Sequence, residues 1–362
     1  MDSKDFSSLG KYGDIQANSV DRMSEIWRVK TLAVKALKKL GDRRFQSIID
    51  CQAFSVRDLE MVGLESRIVD IYKSEYDNYK YIGLNTCKRI WCCPYCAMLA
   101  SVVRGTMVRN AIYSWVTDGV RNVKDSLVLV TLTYKNSIED DDLYIRKFAN
   151  ARKRFFENGS VKRYFEKFVL GRIYTLEFTV SDLNGFHIHV HILMFVFGSN
   201  VDVEEIKDFV YRYWYESLLK EGLECDYLHG VNVERSDDIK YYITKMSGEL
   251  LGSVNKVGRV YHYSPFQLLT QWEKKGDKWA LDMFGRYVGM TYRIKNLVWS
   301  RGLKGFFDVD TDCRVIRKKI LSIFAKDYYR LDSVQKAFLV SKVDLQQKLE
   351  YLENIGIDVI ND

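Results

Sequence analysis

Two stretches of the chain alternate apolar and polar residues with a period of two, a third is mostly apolar, and each predicts a β-strand. Residues 126–134 read SLVLVTLTY, with Leu127, Leu129, Thr131 and Thr133 on one face. Residues 171–180 read GRIYTLEFTV, where Tyr174, Leu176, Phe178 and Val180 form an apolar face and Thr175, Glu177 and Thr179 a polar one. Residues 185–195 read GFHIHVHILMF, so His187, His189 and His191 share one face and Ile188, Val190 and Ile192 the other. That strand runs on through Leu193, Met194, Phe195, Val196 and Phe197, apolar on both faces, which is the pattern of a central strand covered on both sides. Only residues 181–185 separate the last two strands, so they form an antiparallel hairpin that brings Glu177 close to His189 and His191.

Helical patterns fill the intervals. A segment at 21–40 carries Met23, Ile26, Leu32, Val34 and Leu37 and meets Gly41 as a stop. Residues 97–115, 140–167, 201–219 and 236–250 read as further helices, and 230–235 as a short strand. The order strand, helix, strand, strand, helix, strand, helix predicts an α+β fold, an antiparallel sheet of ferredoxin-like type with packed helices. Four regions are expected: a poorly ordered N-terminus at 1–20, a helical and zinc-binding region at 21–120, a sheet domain at 121–305 and a C-terminal helical extension at 306–362.

Composition narrows the class. With 47% hydrophobic and 14% aromatic residues and only two prolines, Pro94 and Pro265, the chain is globular and has little room for extended linkers. Neither a signal-type N-terminus nor a run of roughly 18 apolar residues is present, so a cytoplasmic protein is expected. The net charge of +7 is modest, but basic residues crowd three places. These hold Arg28, Lys30, Lys35, Lys38, Lys39 and Arg43; then Arg146, Lys147, Arg152, Lys153, Arg154, Lys162 and Arg163; and Arg314, Arg317, Lys318 and Lys319. One such group is an ordinary solvated face; three lean toward a polyanion partner.

Two constellations carry metal-type chemistry. In TCKRIWCCPYC, Cys93 and Cys96 bracket a proline-containing turn, Cys87 precedes them, and Cys51 is the natural fourth ligand for structural zinc, with Cys92 the competitor to Cys93. The second is the histidine strand. A lone buried histidine is usually a hydrogen-bonded core residue, but three of the chain's five at period two point to a divalent ion held by two imidazoles and a carboxylate, Glu177.

The helical segment SDDIKYYITKMSGEL adds candidate nucleophiles. Ile239, Ile243, Met246 and Leu250 define its sheet-facing stripe. At ~100° per residue, Tyr242 lies roughly 70° from the centre of that stripe and Tyr241 roughly 170°, so Tyr242 can reach the sheet. Asp238, Tyr242, Lys245 and Glu249 share a flank. A tyrosine with its ordinary pKa near ~10 needs assistance to act as a nucleophile; Lys245 can supply positive charge and Asp238 can accept a proton. Ion pairs at helical spacing are the plain structural alternative.

These motifs resemble the single-tyrosine rolling-circle replication initiators of bacterial-type plasmids, within the HUH endonuclease superfamily. VLVTLTYKN is similar to that family's first motif, FHIHVHIL to its metal motif, DDIKYYITK to its nucleophile helix, and TCKRIWCCPYC to the preceding cysteine segment. QWEKKGDKW and VWSRGLKG extend the likeness over residues 21–304. The resemblance implies an HUH core of ferredoxin/RRM-like type, with His189, His191 and Glu177 as ligands of Mg²⁺ or Mn²⁺ and His187 as a neighbour. It implies Tyr242 as nucleophile, from the Tyr-x-x-Lys pattern with Lys245, and Asp238 as the acidic group four positions earlier. Tyr241 is the alternative nucleophile.

The activity so implied is nicking of origin DNA, single-stranded or extruded as a hairpin, through a 5′-phosphotyrosyl intermediate and a free 3′-OH, with rejoining at termination. Arg152, Lys153, Arg154 and Lys240 are the candidate DNA contacts, and a host helicase and polymerase the expected partners. Three departures stand out: an Asp where Glu is more usual, a second tyrosine where lysine often sits, and one extra residue in the cysteine spacing. Rival readings are a transposase or relaxase with the same chemistry, a zinc-bearing DNA-binding protein without catalysis, and a metal-dependent hydrolase, for which only His229 and His262 remain as further histidines.

Overall fold

A computed structural model describes residues 19–41, 47–49, 51, 70–74, 79–82, 86–117, 126–136, 142–198, 201–235, 242, 262–309 and 325–330. In chain order its elements are helix α1 (Ser19–Leu40), strands β1 (Asp70–Ser74) and β2 (Tyr79–Ile82), helix α2 (Pro94–Thr117), strand β3 (Ser126–Leu132), helices α3 (Asp142–Glu157) and α4 (Gly159–Glu166), and strands β4 (Val169–Ser181) and β5 (Gly185–Val196). There follow helices α5 (Val203–Leu219) and α6 (Tyr227–Gly230), strands β6 (Val231–Arg235) and β7 (His262–Tyr263), helices α7 (Pro265–Lys275) and α8 (Lys278–Met290), strand β8 (Leu297–Trp299), helix α9 (Leu303–Phe306) and strand β9 (Ala325–Arg330). The expectations for 1–18, for most of the tyrosine helix and for 331–362 lie outside the described residues.

The chain forms two compact units: Met1–Gly41 with Ile90–Thr311, and Asp42–Arg89 with Asp312–Asp362. In the second unit β1 pairs antiparallel with β2 on one side and β9 on the other. The first unit is an α+β assembly around an antiparallel sheet of order β6-β3-β5-β4-β7, with β8 pairing β4.

The three stretches predicted as strands form the three central strands of that sheet, and the histidine strand lies in the middle, as its doubly apolar second half requires. Gly41, with φ of 69°, closes α1, its N–H donating to the Lys38 carbonyl at 3.1 Å. The single helix expected over 140–167 is two. Asn158 interrupts it, its side chain accepting from the N–H groups of Ser160 (2.8 Å) and Val161 (3.3 Å) and so capping α4.

Each face of the sheet has its own cover. On the histidine-bearing face, Val108, Ala111, Ile112 and Trp115 of α2 pack with Leu127, Leu129, Ile173, Leu193, Phe195 and Leu303 in one buried cluster. Trp115 meets Phe195 edge to face at 5.6 Å and donates its indole N–H to the Ser126 carbonyl at 3.0 Å. On the other face, Tyr174 stacks on Phe156 of α3 and Phe178 meets Tyr287 of α8 at 5.7 Å. Trp214 of α5 is fully buried between Phe148 and Phe155, both edge to face. Its indole N–H donates to the Thr133 carbonyl at 2.7 Å, tying α5 to the end of β3 where the histidines lie.

Trp214→Phe keeps the ring packing and removes that bond, leaving a buried carbonyl short of its donor. It is expected to lower stability by about 1–3 kcal/mol, read as a lower urea midpoint with an unchanged denaturant slope.

Candidate active site

Directly opposite residues of an antiparallel pair project to the same face, so the register decides which side chains meet. Between β4 and β5 it pairs Glu177 with His189, Thr175 with His191 and Thr179 with His187; between β3 and β5 it pairs Thr131 with His191. Glu177 Oε2 lies 2.9 Å from His191 Nε2 and 3.6 Å from His189 Nδ1. Donor atoms of Glu177, His189 and His191 all lie within 4.8 Å of one another. His191 is buried; Glu177 and His189 keep partial access to solvent.

This donor set fits a divalent cation. Two ligands on an ion at ~2.1 Å, at right angles, are about 3 Å apart, and the two measured separations lie at and slightly above that value. Two imidazoles and one carboxylate leave positions open for an incoming group. His187, whose ring centroid is 4.2 Å from that of His189, stands beside the group without belonging to it.

The hairpin that fixes this register is itself pinned. Gly185 has φ of 69°, a conformation only glycine adopts without cost. The Asn184 N–H donates to Ser181 Oγ at 2.9 Å, and Asn136 beyond β3 donates through Nδ2 to the Asn184 carbonyl at 2.6 Å. Thr133 Oγ1 donates to the Ile188 carbonyl at 2.9 Å. Sequence reasoning missed two hydroxyls around His191. Thr131 Oγ1 is 3.0 Å from His191 Nδ1, and the fully buried Thr175 sits at the paired position on the other side. For Thr175 the alternation within the hairpin was a signal that could have found it; the place of Thr131 depends on the long-range pairing of β3 with β5.

Tyr242 faces the sheet, but at its other end. It is 1% exposed, belongs to the buried cluster with Trp115, Leu127 and Phe195, and donates from Oη to the Leu127 carbonyl at 2.6 Å. Leu127 is four residues along β3 from Thr131, roughly 13 Å of extended strand. Asp238, Lys240, Tyr241 and Lys245 lie outside the described residues.

The cysteines are found as two pairs, one in each unit. In the second unit the Sγ atoms of Cys51 and Cys87 lie within 4.8 Å, and the Cys87 N–H reaches Cys51 Sγ at 3.5 Å. In the first unit Cys93 and Cys96 flank Pro94 at the start of α2, buried, with their Sγ atoms also within 4.8 Å. The positive end of a helix dipole favours thiolates at that position. Cys92 is buried but is not among these donors.

The basic candidates on α3 differ from one another. Arg152 lies over the Tyr174 ring at 4.8 Å, Lys153 is exposed, and Arg154 donates to Glu221 at 2.9 Å. That bond from Arg154 leads the effects that hold the Glu221 carboxyl below its usual range.

Residues 79–249 match the family described as Replication protein, a span of just under half the chain that contains the donor group and both tyrosines. The chain is also similar to Protein rep of Streptomyces lividans, 22% identical over 299 residues covering 63% of this chain. It spans 65% of the length of that curated relative. No solved structure matches. Both similarities are to replication proteins, one over the stretch that carries the donor group and one to a distant relative.

Glu177→Gln removes the carboxylate charge from this donor group while keeping its shape. It is expected to weaken Mn²⁺ binding, measured by titration calorimetry, at least about tenfold, whereas His187→Ala leaves binding near the wild-type value.

Proposed function

We propose that this chain, whose similarities support a plasmid replication initiator, is a rolling-circle initiator that nicks and rejoins origin single-stranded DNA by tyrosine attack. The observation that carries the reading is the Glu177, His189 and His191 donor group inside the stretch similar to replication proteins. The order β6-β3-β5-β4, built as strand, helices, strand, strand, helix, strand, supports a ferredoxin-like core of HUH type. Origin DNA is the substrate, single-stranded or hairpin-extruded, and a host helicase and polymerase act with the protein in the cytoplasm.

The chemistry follows from the residues. A bound Mg²⁺ or Mn²⁺ supplies Lewis-acid polarisation of the scissile phosphate. Glu177, His189 and His191 would hold that ion, with the buried His191 fixing one side of the donor group. A tyrosine Oη attacks phosphorus in line, the P–O3′ bond breaks, the chain keeps the 5′-phosphate as a phosphotyrosyl ester, and the departing oxygen leaves as a 3′-OH. Asp238 accepts the phenolic proton and Lys245 offsets developing negative charge. At termination a free 3′-OH attacks the phosphorus of the ester, the P–O bond to tyrosine breaks, the phenol recovers its proton from Asp238, and the strand is rejoined. Arg152, Lys153, Arg154 and Lys240 grip the DNA; for Arg154 this means exchanging Glu221 for a phosphate.

The attacking tyrosine is Tyr242 or Tyr241. Tyr242 has the Tyr-x-x-Lys spacing to Lys245, and to act it must leave the apolar cluster and break its bond to the Leu127 carbonyl. Its burial favours a second reading, in which Tyr242 anchors the segment in the core and Tyr241 attacks. The pairs Cys51/Cys87 and Cys93/Cys96 supply four thiolates, the number for a structural Zn²⁺.

Incubation of the full chain with origin single strands and Mn²⁺, followed by mass spectrometry of DNA-linked peptides, is expected to give an adduct on one of these tyrosines and to lose it in the matching phenylalanine variant. Cleavage that leaves no adduct and survives Tyr241→Phe with Tyr242→Phe refutes the mechanism; binding without cleavage supports a non-catalytic DNA-binding role. Purified protein is expected to carry one equivalent of zinc by elemental analysis, reduced in Cys93→Ser and kept in Cys92→Ser.

A further inference from the structure

His191 is held on both sides of its ring, Nε2 by Glu177 at 2.9 Å and Nδ1 by the hydroxyl of Thr131 at 3.0 Å. A neutral imidazole carries hydrogen on only one of its two nitrogens. While Nε2 faces the carboxylate with no cation bound, it is the donor to that oxygen, so Nδ1 accepts and the Thr131 O–H donates. Once Nε2 lends its lone pair to a cation, the hydrogen sits on Nδ1, and Thr131 Oγ1 has to accept. A hydroxyl serves both arrangements by rotating about its C–O bond, whereas a methyl group in its place serves neither.

We propose that Thr131 is a positioning residue that sets the ring orientation and tautomer of His191, so that its Nε2 and the Glu177 carboxylate converge on one divalent cation. This rests on the reading of Glu177, His189 and His191 as a cation centre. The backbone register places Thr131 directly across from His191 on β3, so the bond needs no adjustment of the strand. Each neighbouring strand presents one threonine to His191, and they are used differently. The Thr175 hydroxyl is buried and has no hydrogen-bond partner among the described residues, although Thr175 is the cross-strand partner on β4. The third hydroxyl of the region, on Thr133, is engaged with the Ile188 carbonyl. Thr131 is the one of the three bonded to a ligand ring. Outer-shell hydrogen bonds of this kind govern metal affinity by about 10–100-fold.

The test uses the full chain and two readouts. Mn²⁺ affinity is measured calorimetrically for wild type, Thr131→Val, Thr131→Ser and Thr175→Val. The His191 ring is followed by NMR in [¹⁵N]histidine-labelled wild type and Thr131→Ser, with and without saturating Mg²⁺. Thr131→Val is expected to bind about 10–100-fold more weakly, while Thr131→Ser, which keeps the hydroxyl, and Thr175→Val, which removes an unbonded one, stay near wild type. The ring hydrogen of His191 is expected on Nε2 without Mg²⁺ and on Nδ1 with it. Equal affinity of Thr131→Val and wild type overturns the positioning role and leaves the cation centre standing. Wild type that binds no Mn²⁺ overturns both. Should Thr131→Val not fold, a ring that stays in the Nε2–H form with Mg²⁺ bound, or a Thr131→Ser as weak as a lost ligand, overturns the proposal.

Discussion

The cross-strand pairing of Glu177 with His189 is the constraint on which the rest of the site depends. Side chains alternate along a strand with a period of two, so a slip of one residue between β4 and β5 would send Glu177 to the face covered by α3 and α8. The fold opposes such a slip at several points. Phe178 and Tyr174 are committed to aromatic partners on one face, Leu193 and Phe195 to the α2 cluster on the other, and Gly185, Ser181 and Asn184 define the turn that joins the strands. Core packing and site geometry are thus consequences of one register.

That register also explains why the central strand tolerates polar residues at one end only. From Ile192 onward β5 is buried on both faces, and any polar group there would be desolvated without return. At the other end the polar rows are matched: Thr131 with His191, and His189 with Glu177. Trp214, bonded to the Thr133 carbonyl, anchors β3 next to this polar end, so an apolar side chain from the opposite layer steadies the strand that holds Thr131.

Much of this was legible in the sequence, because period-two patterning gives the strands and so short a turn allows only a hairpin between β4 and β5. Placing Glu177 beside His189 and His191 needed nothing more. The break at Asn158 was legible in principle, since Asn followed by Gly is a capping signal, but the surrounding apolar periodicity masks it. The bond from Thr131 to His191 was not legible, because it depends on β3 pairing with β5, a long-range choice that local pattern does not dictate. Nor was the depth of Tyr242. Helical periodicity turns it toward the sheet, yet only tertiary packing decides that its hydroxyl meets the Leu127 carbonyl instead of the histidine end. The division of the four cysteines between two units is likewise a property of chain path and not of spacing.

Whether Glu177, His189 and His191 hold one divalent cation on the sheet is open to direct observation. Anomalous diffraction from crystals of the full chain grown with Mn²⁺ tests it most directly. A manganese peak is expected within bonding distance of Glu177 Oε2, His191 Nε2 and a ring nitrogen of His189. Crystals that bind manganese only elsewhere, or hold none at this site when saturated, would contradict it.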